Sequence, residues 1–185
     1  GQWFFGWNAL SDLGACKNEA SRILFNYGCV LTGVSGMMFG YGVFKHEKSW
    51  LAMTGLVTAI GTIFLMGVGA IPETYGEPHL FCAGAFGFLA VVAMATSAVG
   101  DWRKDRKVYS YIALILLAIC AIVTIPNQFG IFEAVSIICI LVWVGSQAYK
   151  YYKMIGLIEI RDPLKEIFEE DEDRIRRKLH KTEKE

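Results

Sequence analysis

The sequence lacks charge over most of its length. Its 18 basic and 18 acidic residues cancel, and half of all the charge crowds into Glu159 to Glu185, which holds 8 basic and 10 acidic residues. The rest of the chain keeps its few charges in short clusters between long neutral runs. A water-soluble enzyme domain, a disordered chain and a nucleic-acid-binding module with its basic surface are excluded by that distribution. Histidine is scarce as well, with His46, His79 and His180 only. A zinc hydrolase site commonly needs two or three nitrogen ligands. No metal and no cofactor are therefore expected, a carboxylate-rich calcium or magnesium site from Asp12, Glu73, Glu77 or Glu133 being the metal chemistry that remains open. The five cysteines form no CxxC pattern. Most lie inside apolar runs, where a thiol behaves as a small hydrophobe.

What is abundant is hydrocarbon. Hydrophobic residues make up 54% of the chain and mean hydropathy is +0.39. A bilayer core of about 30 Å needs roughly 20 apolar residues in a helix rising about 1.5 Å each. Five runs answer that requirement: 23–44, 50–71, 79–100, 108–125 and 131–154. Alternation suited to a barrel strand is absent, and backbone groups in lipid must be satisfied within their own segment, so helix is the reading for each. The sequence predicts an all-α membrane protein, an antiparallel bundle of five transmembrane helices. It falls into an N-terminal segment 1–22, the bundle 23–154 and a charged tail 155–185.

Orientation follows from the lysines and arginines of alternate connectors. The first connector has Lys45 and Lys48, the third has Arg103, Lys104, Arg106 and Lys107, and the tail adds many more. The proline-bracketed connector Pro72–Pro78 and the turn at Pro126–Gly130 have none. The first and third connectors and the tail are expected in the cytoplasm, with the proline loops and residues 1–22 outside the cell membrane. The aromatic stretch Gln2 to Leu10 is too short to cross. It reads as an interfacial segment, as a processed mature end, or as the last turns of an earlier span, the reading an outward Gly1 favours.

Several stretches, in order, resemble a known family. Asn8-Ala-Leu-Ser11-Asp12-Leu-Gly14 precedes Arg22-Ile-Leu-Phe25-Asn26 at a span entrance. Gly67-Val-Gly-Ala-Ile-Pro72 then closes a span and His79-Leu-Phe-Cys-Ala83 opens the next. From Asn8 to Tyr152 the pattern resembles the prokaryotic integral membrane proteins of domain of unknown function 998. The resemblance implies a fold and a topology, usually of six spans, and so a further span upstream; it implies no reaction. A more distant likeness to DRAM/Frag/Sfk-type membrane proteins would imply lipid-linked roles.

The outward face then gathers Asp12, Glu19, Arg22, Asn26, Glu73, Glu77, His79, Asn127 and Glu133. Ionisable groups at span entrances feel lipid and need partners. Arg22 and Asn26, four apart, share a helical face. Glu133 is expected in the first turn of its span, where the positive helix end stabilises a carboxylate by about 0.3–1 kcal/mol. The bland reading makes these groups caps and loop pairs, with Asp12 or Glu133 neutralising Arg22. The functional one makes Arg22, Asn26, Glu73, His79, Asn127 and Glu133 a headgroup site, or His79 an acid–base with Glu133 or Asp12.

Gly36 and Gly40 have the spacing of close helix packing, within the chain or between copies. Gly40-Tyr41-Gly42 lacks the pore helix a potassium filter requires. Asp162-Pro163 starts an amphipathic tail helix with acid-first i,i+4 pairs such as Glu170–Arg174. The expected function is lipid binding or an accessory role in a membrane complex, without catalysis. Membrane lipids, a second copy or a partner subunit are the expected partners, and nucleic acid is not one. The alternative is an enzyme acting on a lipid-linked substrate at the outer face. A small-solute transporter ranks last, since no charge sits mid-span.

Overall fold

The computed structural model describes residues 7–123 and 129–159. Five helices dominate, and no strand occurs among the described residues: α1 (Glu19–His46), α2 (Ser49–Ala70), α3 (Glu77–Arg103), α4 (Lys107–Val123) and α5 (Phe129–Glu159). Short 3-10 turns at Ser11–Ala15 and Glu73–Tyr75 complete the order. Each apolar run has become one helix. Helices α1, α2, α3 and the Gly130–Gly156 part of α5 are long and apolar enough to cross a bilayer, while α4 is apolar over 17 residues. The protein is an all-α, multi-pass membrane protein. Asn127 and the tail beyond residue 159 lie outside the described residues, so the expected tail helix does too.

The chain separates into two compact units, Gly1–Ser146 and Gln147–Glu185, with α5 continuous through the boundary. In the second unit Lys150 donates to the side-chain oxygen of Gln147, and its ammonium lies 4.6 Å from the Tyr151 ring centroid. Helices α1 to α4 and the first part of α5 belong to the first unit.

Hydrocarbon gives no hydrophobic drive between helices, so close packing must hold them. Helix α1 meets α2 through glycine. A Cβ on Gly40 would stand 2.6 Å from the Ala59 backbone nitrogen and 2.7 Å from the Gly55 carbonyl oxygen. Gly36 faces the Thr62 side chain in the same seam. The spacing seen in the sequence serves a contact between α1 and α2 within the chain. Helices α2 and α3 share a hydroxyl bond, Thr54 to Thr96 at 3.0 Å. A core of Ala93, Met94 and Ala98 from α3, Ala113 and Leu116 from α4, and Cys139 and Trp143 from α5 fills the remaining interior. Trp143 donates its indole N–H to Ser97 at 2.9 Å, and Ser110 donates to the Ala98 carbonyl at 2.8 Å. Outside, Leu24, Leu31, Met38, Phe81, Phe88, Ile115, Ile122 and Leu141 are exposed, as a surface solvated by lipid tails requires.

One end carries the proline loop Pro72–Pro78, where Gly76 takes φ 69° and Pro78 enters the first turn of α3. The opposite, basic end corrects an expectation. The cluster 101–107 reads as an exposed connector, yet Asp101 is fully buried and Arg106 largely so. The reason is Glu47, which caps the end of α1 and is itself buried. It takes an ion pair from Lys104 and another from Arg106 at 3.0 Å, tying the first connector to the third. Asp105 at φ 58° turns the chain between those two cations. The Arg106 guanidinium also lies 4.0 Å from Asp101. Around them Arg103 stands 5.6 Å over the Trp50 ring and Lys107 5.9 Å over Trp102, the placement of an interfacial aromatic belt.

Candidate functional site

The proline end is assembled from four parts of the chain. The Ser11–Ala15 turn lies beside the start of α1, where the Asn18 side chain accepts from the Ser21 N–H at 3.2 Å and caps the helix. Two turns into α1, Asn26 donates to the Gly14 carbonyl at 3.2 Å, fastening the 3-10 turn to the helix. Asp12 accepts from the Asn8 amide at 3.0 Å. From α5, Glu133 accepts from the Leu10 N–H at 2.7 Å and draws on that of Ser11. Because α5 begins at Phe129, Glu133 falls in its second turn rather than its first. The N–H groups that hold this carboxylate come from the N-terminal segment, not from its own helix end. That is a correction to the sequence reading with a simple cause: an intrahelical N–H in the second turn is already engaged.

His79, in the first turn of α3, is 1% exposed. Its Nδ1 lies 2.7 Å from the Ile71 carbonyl oxygen, across the proline loop. A carbonyl can only accept, so Nδ1 carries the proton and, in the neutral ring, Nε2 is an acceptor. That Nε2 is buried without a partner. Asn26 Oδ1, Glu73 Oε2 and Ser136 Oγ, the last three residues beyond Glu133, are likewise buried and unpartnered. Buried polar atoms are nearly always paired in folded proteins, so four such atoms at one end of one bundle need an explanation.

The charge here is negative. Burial pushes the Glu73 carboxyl up to about 7, and hydrogen bonding to Asp12 and the charges of Asp12 and Glu133 push the same way, against a smaller opposing effect of Ser11. The His79 ring also acts electrostatically on Glu133, which places the two near each other. Arg22 does not join them. It is exposed and pairs with Glu19, three residues back, at 4.0 Å. Neither Asp12 nor Glu133 neutralises it, because the helix offers a nearer acid. Glu77 is exposed at the start of α3. Among the described residues no group of three or more histidine, cysteine or acidic side chains is arranged to hold a metal ion, and the five cysteines are free thiols.

The family model for a protein of unknown function, DUF998, matches residues 5–149. The chain belongs to the DUF998 family. No match was found among curated proteins or among solved structures, and the comparisons do not show the more distant DRAM/Frag/Sfk likeness. The stretches on which the DUF998 resemblance rested now have places. Ser11–Gly14 is the 3-10 turn, Asn26 its fastening, Pro72 the start of the loop and His79 the buried ring beneath it. Sequence reasoning missed Ser136, an ordinary small polar residue on an apolar helix, and the backbone atoms of Leu10, Gly14 and Ile71, which have no sequence signature.

Glu73 makes this end sensitive to pH. A carboxyl whose folded pKa exceeds its unfolded value stabilises the fold fully below the unfolded value, and that contribution is lost as pH rises through about 7. Thermal unfolding of the wild type relative to Glu73→Gln should therefore favour the wild type less at pH 8 than at pH 5. The glutamine cannot ionise, so parallel profiles for the two proteins would remove Glu73 as the titrating group.

Proposed function

We propose that this DUF998 protein resides in the cell membrane with its basic end and tail in the cytoplasm, and that its outward proline end binds a lipid headgroup without catalysing a reaction. The Lys/Arg asymmetry of the connectors supports the orientation. The observation that carries the binding reading is His79: a fully buried ring, fixed through Nδ1, with an unmet acceptor at Nε2. An acid–base enzyme would use a hydrogen bond between His79 and Asp12 or Glu133. Instead the ring is held by a backbone carbonyl and Glu133 by a backbone N–H. A transporter gains no support from the interior, where Thr54 donates to Thr96 and the hydroxyls of Thr62, Thr96 and Ser97 donate to nearby backbone carbonyls.

Two measurements test the proposal. In a variant with its cysteines replaced, Thr74→Cys should react with a membrane-impermeant maleimide in intact cells, and Lys104→Cys only after lysis. Reaction of both in intact cells would sink the orientation. Native mass spectrometry of protein carried through detergent exchange should show about one retained lipid per chain, lost several-fold in His79→Phe; a wild type that retains none would end the binding reading.

A further inference from the structure

We propose that the recognised headgroup presents a primary ammonium to the proline end, an inference that rests on the headgroup reading above and narrows it to one ligand chemistry. The four unpartnered buried atoms are Asn26 Oδ1, Glu73 Oε2, His79 Nε2 and Ser136 Oγ. Asn26 Oδ1 can only accept, since its amide nitrogen is the atom that donates to Gly14. In the neutral His79 ring, with its proton on Nδ1, Nε2 accepts. The Glu73 oxygen accepts in its ionised form, and a serine hydroxyl can accept. The end therefore asks for N–H or O–H donors.

Charge narrows the ligand further. Asp12 and Glu133 act electrostatically on Glu73, and Asp12 and His79 on Glu133. The cations at the α1 entrance, Lys17 and Arg22, are exposed, and Arg22 is turned to Glu19. A phosphate placed among these groups would meet like charge and offer no proton to the acceptors. A quaternary ammonium would satisfy the charge but has no N–H, so the acceptors would stay unmet. A metal ion finds no ligand group among the described residues. A primary ammonium has a positive charge and three donors, and hydrogen bonds with ionised partners are roughly twice as strong as neutral ones. The acids Asp12 and Glu133 and the buried acceptors of Asn26, His79 and Ser136 are separate features, and both ask for the same ligand.

The test uses the full chain in nanodiscs of equal phosphatidylethanolamine, phosphatidylcholine and phosphatidylglycerol, with lipid retained on the protein read by native mass spectrometry. Phosphatidylethanolamine should be enriched about tenfold over phosphatidylcholine, the ratio that about 1.4 kcal/mol of discrimination gives. Glu133→Gln, whose amide oxygen can still accept the Leu10 N–H, should bring that ratio close to one while keeping the fold. Asn26→Leu should lower it with the charge intact. Retained lipid without headgroup preference, or with a preference for phosphatidylcholine or phosphatidylglycerol, overturns this inference and leaves the headgroup reading standing. Retention of no lipid overturns both. In discs of phosphatidylcholine and phosphatidylglycerol alone, ethanolamine in solution should leave thermal stability unchanged. Stabilisation by free ethanolamine equal to that by phosphatidylethanolamine would assign the site to a soluble amine and overturn the lipid source.

Discussion

Gly55→Val is expected to leave little folded protein, with a loss of at least about 3 kcal/mol. The side chain would be added at the closest approach of α1 and α2. A Cβ at Gly55 would already stand 2.6 Å from the Gly40 carbonyl oxygen and 2.9 Å from the Phe44 Cα, and closer still to the Phe44 nitrogen. These are main-chain atoms of a helix, so no rotamer change can clear them. The helices would have to separate, losing the Gly36–Thr62 and Gly33–Met66 contacts along the same seam. In a bilayer this loss is not offset by burial elsewhere, because lipid tails solvate the freed faces as well as protein does. Gly84 is the control. It is exposed on α3, a Cβ there would meet nothing within 4 Å, and Gly84→Ala should be neutral or stabilising by about 0.5–1 kcal/mol. The recovery of monodisperse protein after mild heating in detergent reads both variants. Equal recovery of Gly55→Val and wild type would mean that α1 and α2 do not approach as described.

The same seam shows what could be read from the sequence. The helices were legible because hydrocarbon allows few alternatives: an apolar run of bilayer length with no alternation must bond its backbone to itself. The Gly36/Gly40 spacing indicated close packing, but not the partner, since a second copy and α2 would impose the same pattern. At the proline end, Asp12, Asn26, Glu73, His79 and Glu133 were legible as ionisable or amide groups beside lipid. Their bonds were not. Glu133 is held by the Leu10 N–H, His79 by the Ile71 carbonyl and Asn26 by the Gly14 carbonyl, and every residue has a backbone that could serve. Arg22 finds its acid locally, in Glu19 a single helical turn away, where the sequence pointed to Asp12 or Glu133. Glu47 was hidden by its neighbours. An acid between Lys45 and Lys48 reads as part of a solvated loop, yet the tight turn after α1 buries it, and its partners Lys104 and Arg106 come from nearly 60 positions along the chain, at separations of 57 and 59.

Those partners make Arg106→Ala the most damaging charge removal expected at the basic end, at about 2–3 kcal/mol. Breaking a buried pair costs about 3–5 kcal/mol when one charge is left uncompensated, and two features lower the figure here. The Arg106 side chain is 22% exposed, and Lys104 remains on Glu47. Glu47→Ala should cost less, about 1.5–2 kcal/mol, because the cations it releases are more exposed than the Glu47 carboxylate that Arg106→Ala leaves with Lys104 alone. The double variant should fall short of the sum by about 1–2 kcal/mol, the coupling expected of residues in direct contact. The pH dependence has the opposite sign to that at Glu73. Although burial acts to raise it, hydrogen bonds and charge from Lys104 and Arg106 hold the Glu47 carboxyl below the usual carboxylate range. Its contribution is therefore present above the ordinary glutamate pKa and is lost as pH falls through the lowered value. Unfolding of wild type, Arg106→Ala, Glu47→Ala and the double variant in mixed micelles at neutral pH measures the cycle. Additive losses would show that the contact between the two connectors carries no stability of its own, and that the basic end is held by α1, α3 and α4 packing alone.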